Sequence, residues 1–188
     1  MAIVDLVPGD RRLLDQAARA LADRLPQGWP TRRDARREVD AMVDPSRIAR
    51  AFVEGDRLLG WIGALELYPG HVWELHPLAV RRGCDRRGIG RALVLDLEDH
   101  VRRRGVHTLF VGSDDELGQT TLAGVDLYPD VLAHLQALRA LAERGGHPFA
   151  FYQRLGYALI GAVPDANGPG KPDIYLAKRL VPAPSDRP

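Results

Sequence analysis

The sequence predicts a mixed α+β domain around one central sheet. Three observations carry that reading. Segments with strand period and segments with helix period follow one another as strand, two helices, three antiparallel strands, helix, strand, helix and two strands. The length of 188 residues suits one core that needs no covalent staples. Hydrophobic residues at 45% and charged residues at 27% are the balance of a globular chain rather than a disordered one. One domain is expected over residues 1–180. The segment 181–188, with three prolines in eight residues, is expected to be a loose tail.

The elements follow in order. Ala2–Val7 is a short apolar run suited to a first strand, and Asp10 is placed to cap a helix that keeps Leu13, Leu14, Ala17, Leu21 and Leu25 on one face. Pro26–Pro30 breaks that helix, and Thr31 can cap a second, charged one reaching about Val43. Arg47–Val53 and Arg57–Leu67 flank Glu54-Gly55-Asp56 as a hairpin, and Val72–Val80 is a third strand. A helix from Ile89 to about Arg104 buries Ile89, Leu93, Leu97 and Val101, and Gly105 ends it. Thr108–Gly112 is a strand. The stretch 113–146 opens with acids and is expected to contain a helix over about Asp130–Ala142, which could cover a cleft or form part of a homodimer contact. A short helix begins at His147-Pro148 and stops at Gly156. Tyr157–Val163 and Ile174–Leu180 close the sheet.

Charge and composition exclude several classes. Twenty-six basic residues against 25 acidic ones leave a net +1, so no surplus of cations marks a nucleic-acid binder. The single cysteine, Cys84, excludes an intrachain disulfide and a cysteine-based zinc cage, and His71, His100, His107 and His134 have no metal-ligand spacing with carboxylates. No apolar run approaches the ~20 residues of a membrane span, and the N-terminus lacks a signal-peptide core. A cytoplasmic protein is the expectation.

The most chemical segment is the turn between the third strand of the hairpin set and the long helix, Leu78-Ala79-Val80-Arg81-Arg82-Gly83-Cys84-Asp85-Arg86-Arg87-Gly88-Ile89-Gly90-Arg91. A strand enters a glycine-bearing turn and a helix leaves it, so backbone N–H groups and the helix dipole point at whatever the turn holds. Arg86, Arg87 and Arg91 add cations. A diphosphate is the expected guest. It is not a Walker loop, because Arg91-Ala92 stands where Lys-Ser/Thr would, and not a dinucleotide fingerprint, because position 93 is Leu.

That turn, with the downstream Phe151-Tyr152-Gln153-Arg154-Leu155-Gly156-Tyr157, resembles the GNAT N-acetyltransferase superfamily, and the order of elements matches that fold from Ala2 to about Leu180. The resemblance implies a mixed, mostly antiparallel, twisted sheet of about seven strands flanked by helices, with an extra helical insertion before the last helix. It implies acetyl transfer from acetyl-CoA to an amine without a metal. Leu78, Ala79 and Val80 would hold the pantetheine arm, and Arg86, Arg87, Gly88, Ile89, Gly90 and Arg91 the diphosphate. Tyr152 would act as general acid toward the departing thiolate. The sequence departs from the family pattern at Asp85, at Pro148 and in some thirty added residues before Tyr152.

An ammonium acceptor must lose a proton before it attacks. Glu74, in Trp73-Glu74-Leu75-His76-Pro77, is the first candidate base, with His76 on the same strand face in support; a solvent-facing or ion-paired Glu74 is the competing reading. Between Val111 and Asp130 there are five acids and no Lys or Arg, and Asp114, Asp115 and Glu116 would attract a cationic amine, with Asp114 a second candidate base. Trp29 and Trp73 could supply flat walls. The blocks Trp73–Pro77, Gly112–Glu116, Asp126–Tyr128, His147–Tyr152 and Pro164–Asp173 resemble the aminoglycoside 6'-N-acetyltransferase branch, which implies a small cationic amine as substrate. The acids suit a polyamine or a cationic peptide equally, and a non-catalytic acyl-CoA-binding domain would keep the same turn.

Overall fold

A computed structural model describes residues 1–144 and 146–182. Among the described residues thirteen elements are formed: β1 (Ala2–Asp5), α1 (Arg11–Arg24), α2 (Arg32–Met42), β2 (Ile48–Glu54), β3 (Arg57–Tyr68), β4 (Val72–Val80), α3 (Ile89–Arg103), β5 (Thr108–Asp114), α4 (Val131–Gln136), a 3₁₀ turn (Ala142–Arg144), α5 (Phe149–Arg154), β6 (Ala158–Val163) and β7 (Asp173–Arg179). The seven strands run in the order β1-β2-β3-β4-β5-β7-β6, the mixed sheet expected of an α+β chain. Two compact units divide the residues: Met1–Leu109 with the chain from Leu180, and Phe110–Arg179.

In the first unit β1 to β4 form an antiparallel meander. Both caps fall where their side chains put them. Asp10 accepts from the Leu13 amide at 3.0 Å and Thr31 Oγ1 from the Asp34 amide at 3.1 Å, satisfying N–H groups that the helix itself cannot. Along β3, neighbouring residues face opposite ways. Trp61 is wholly buried toward α1, where its indole N–H donates to the Ala17 carbonyl at 3.1 Å. Gly60 faces α3, and a Cβ there would lie 3.2 Å from Ile89 and 3.3 Å from Leu93. Arg50 of β2 is buried and ties α3 to the strands, donating to Asp96 at 2.7 Å and pairing with Asp5 of β1. A buried guanidinium with two carboxylate partners is compensated rather than stranded.

β4 holds the decisive irregularity. Ile62 pairs with Leu78 and Ala64 with Leu75, so β4 spends three steps where β3 spends two. That extra residue reverses the faces. Ala79, beyond the bulge, lies opposite Trp61, while before it Glu74 lies opposite Leu65 and Trp73 opposite Glu66. Gly63 makes the bulge possible, because a Cβ there would fall 2.5 Å from the His76 carbonyl oxygen and onto Met42 of α2.

In the second unit β6 and β7 pair antiparallel. The segment 115–144 is less helical than its sequence predicts. The helix expected over Asp130–Ala142 ends at Gln136, although Asp130 does cap it through the Ala133 amide at 3.0 Å. Order comes instead from an antiparallel bridge between Thr120 and Ala140 and from buried Leu122, Leu127 and Leu138. The strand expected over Thr108–Gly112 continues to Asp114. Of the tail expected over 181–188, residues 183–188 lie outside the described residues.

Candidate active site

The glycine- and arginine-bearing turn follows β4. Gly83 (φ 79°), Arg86 (φ 57°) and Gly88 (φ 79°) are left-handed, and these reversals fold the backbone into a loop that exposes Arg86, Arg87 and Gly88 ahead of α3, whose first turn carries exposed Arg91. Gly88 is the N-cap of α3 and offers no side-chain bond to the first turn, so its amides point outward with the positive end of the dipole. Ile89 is buried at 3% exposure and packs its side chain against Gly60, so the side chain is not offered to the turn. Asp85, the departure from the family pattern, is paired with Arg24 of α1 at 2.8 Å. The pair is a surface contact that gives the Asp85 carboxylate a cationic partner outside the turn. Leu78, Ala79 and Val80 pair with Ile62, Trp61 and Gly60 of β3.

The bulge in β4 turns two side chains toward α2. His76 Nε2 lies 3.5 Å from Glu38 Oε1, and His76 Nδ1 lies 3.9 Å from Glu74 Oε1. The Trp29 and His76 rings have centroids 5.6 Å apart. Glu38 is half-buried, yet its carboxyl is held below the usual carboxylate range by the His76 ring first, with the Trp29 side chain and the Arg47 charge adding to it against the opposing effect of burial. Glu38 therefore stays ionised. Sequence reasoning brought Glu74, His76 and Trp29 forward and missed Glu38, which is one more acid on a charged helix until α2 packs. The only local signal is its i,i+4 spacing to Met42, the residue that meets Gly63. Trp73 does not join this group. It is buried at 5% exposure on the other face of β4, under the Arg104 guanidinium at 4.7 Å, so its assignment as a substrate wall is corrected. Period-two alternation already separates Trp73 from Glu74 and His76.

In the second unit the acids of the Asp114–Glu116 run part company. Asp115 is wholly buried and accepts from the Gln119 amide at 2.5 Å, the Thr120 amide at 2.9 Å and the Thr120 hydroxyl at 2.7 Å. It is the peg of the inserted segment rather than a residue that a substrate can reach, a correction forced by the donors that burial requires it to have. Asp114 is exposed and accepts from Asn167 Nδ2 at 2.5 Å. Glu116 has its carboxyl pushed up by burial and by the Asp114 charge, with the Lys171 charge opposing. Asn167 and Lys171 come from the Pro/Gly-rich loop, whose Gly170 approaches Gly124 so closely that a Cβ would meet its Cα at 2.9 Å.

Tyr152 lies on α5 at 7% exposure, edge-on to Phe151 (5.1 Å) and Tyr157 (5.7 Å). Burial pushes its phenol above 10, so it is protonated at neutral pH, the form a proton donor needs. Beside it, His147 Nε2 is 3.0 Å from the Asp114 carbonyl oxygen and His147 Nδ1 accepts from the Phe149 amide at 3.2 Å, which fixes a neutral ring protonated on Nε2. Among the described residues no group of three or more His, Cys, Asp or Glu is arranged to hold a metal ion, and no helix is long and apolar enough to cross a membrane.

The chain places a glycine- and arginine-bearing turn between β4 and α3 and a buried tyrosine on the later α5. The chain belongs to the acetyltransferase (GNAT) family, whose model matches residues 14–122, and its activity class is acetyl-CoA-dependent N-acetyl transfer. It is similar over its whole length to solved aminoglycoside 6'-N-acetyltransferases. One, crystallised with coenzyme A, is 38% identical with a TM-score of 0.91, over 98% of this chain and 100% of that one. Another, from Enterococcus faecium, is 38% identical with a TM-score of 0.89 over the same shares. A third, an aminoglycoside 6'-acetyltransferase type Ii, is 34% identical with a TM-score of 0.75, again over 98% and 100%. No curated protein sequence matches the chain.

Proposed function

We propose that the acceptor is the 6'-amine of an aminoglycoside, acetylated in the cytoplasm, and that the chain acts as one catalytic domain without nucleic acid. The whole-length likeness to aminoglycoside 6'-N-acetyltransferases carries this reading. Support from the residues is electrostatic. Each unit presents carboxylates, Glu38 and Glu74 in the first and Asp114 and Glu116 in the second, suited to a substrate with several ammonium groups.

The residues divide the work in this reading. Acetyl-CoA supplies the activated acyl carbon. The α3 amides and Arg86, Arg87 and Arg91 hold its diphosphate, and the backbone of Leu78–Val80 holds the pantetheine arm. Glu74 takes the proton that the acceptor ammonium must lose, directly or through water, with Asp114 a second acceptor for it. Trp29 and His76 supply the wall against which a sugar ring lies. Tyr152 holds the proton for the leaving thiol. A homodimer would cover the exposed Tyr128 and Leu132 around α4, which sedimentation would read.

Free-thiol release tests the acceptor. Purified protein and acetyl-CoA should release thiol with an aminoglycoside bearing a 6'-amine and not with its 6'-hydroxyl counterpart. Expression in a susceptible bacterium should raise the inhibitory concentration of the first compound alone. Release with spermidine or a cationic peptide but not with the 6'-amine would overturn the assignment, and tight coenzyme A binding with no release from any amine would point to a non-catalytic domain.

A further inference from the structure

His76 stands between two carboxylates, and the two contacts are unequal. Nε2 is 3.5 Å from Glu38 Oε1, whereas Nδ1 is 3.9 Å from Glu74 Oε1. Glu38 reaches this position because α2 packs Met42 over Gly63, at the bulge that turns His76 toward it. The indole of Trp29, in contact range of the imidazole, limits how the ring can turn. A carboxylate accepts hydrogen bonds and cannot donate them, so the nearer one favours hydrogen on Nε2. Nδ1 is then a bare lone pair beside a second carboxylate. Two acceptors at that spacing have no hydrogen to share between them, but an ammonium carries three donors and can serve both.

We propose that Glu38 is a positioning residue for the amine acceptor: its carboxylate keeps the His76 hydrogen on Nε2, so that Nδ1 and Glu74 together receive two N–H groups of one ammonium. The inference rests on the reading that the acceptor amine lies at Glu74. It assigns α2, which carries none of the family turn, a part in orienting the acceptor. The carboxyl of Glu38, held low by the same contacts, remains an acceptor throughout the neutral range.

Full-length protein labelled with ¹⁵N at its six histidines tests this without any substrate. Long-range ¹H–¹⁵N spectra at pH 8, with the His76→Gln spectrum identifying the signal, should show His76 protonated on Nε2 alone. Glu38→Ala should give a mixture of both tautomers. Glu38→Gln, whose amide oxygen can still accept, should restore the Nε2–H form. In steady-state assays Glu38→Ala should raise the amine KM at least tenfold while the acetyl-CoA KM stays within twofold, and Glu38→Gln should recover most of the loss. An Nδ1–H or doubly protonated ring in the unmutated protein, or a tautomer indifferent to Glu38→Ala, overturns the proposal. Glu74→Gln with unchanged amine kinetics would sink the placement of the acceptor instead, and the substrate-free spectra keep the two failures apart.

Discussion

Replacing Tyr152 by Phe removes one oxygen from a ring whose position is fixed by packing. The ring is 7% exposed and edge-on to Phe151 and Tyr157, contacts that Phe can keep. The fold should therefore lose no more than about 1 kcal/mol, the net scale of one hydrogen bond. The chemistry should lose more. A positioned general acid contributes roughly 10²–10⁴-fold, and a water entering the vacated space would return part of that. At least a tenfold fall in kcat is expected, about 1.4 kcal/mol of barrier. Acetyl-CoA binding, which the turn and the arginines carry, should be unchanged. Because burial pushes the phenol above 10, no kinetic limb from Tyr152 should be seen below pH 10. The same shift has a sign for stability. A proton bound more tightly in the folded state favours folding fully below the unfolded value near 10 and ceases to do so as pH rises through the folded value. Thiol release in single turnover, alongside melting and coenzyme A titration, separates these effects. An unchanged single-turnover rate in a folded, coenzyme A-binding Tyr152→Phe protein would remove the acid role.

Three further outcomes follow from the same contacts. Asp115→Ala removes the acceptor of the buried Thr120 amide and hydroxyl and should cost about 2–4 kcal/mol in urea unfolding, an effect a merely exposed acid would not give. Asp114→Asn with Glu116→Gln should leave melting nearly unchanged but raise the KM of a cationic amine severalfold and flatten its dependence on salt, with an unmoved KM marking these acids as bystanders. Burial lowers the His147 value below 6.5, so the unfolded chain binds more protons in that window and stability should fall as pH drops below about 6.5; His147→Gln should remove that slope from melting curves.

The parts of the site that were legible in the sequence are those with a local cause. Asp10 and Thr31 cap because a short oxygen-bearing side chain sits just before a helical period, and the structure shows both bonds. Gly83 and Gly88 mark a tight turn because left-handed backbone is written into the residue type, and both are left-handed. The strand Val72–Val80 was legible to the residue. Its bulge was not, since alternation of burial continues unbroken through His76 and Pro77 while the pairing with β3 slips by one.

By itself, then, the sequence determined the order of elements, the glycine-bearing turn before α3 and the tyrosine-bearing helix, all of which depend on residues within a turn or two of one another. Tertiary structure alone decided which charges matter. Asp114, Asp115 and Glu116 are three consecutive acids, yet one is exposed, one is a buried peg and one has its carboxyl pushed up. Asp85 reads as an unpaired acid in the turn until Arg24, sixty-one positions earlier, pairs with it. Glu38 gains a role only when Gly63 lets α2 and the bulge of β4 close on each other. A carboxylate's chemistry is set by its burial and its partners, and both come from chain segments that are distant in sequence.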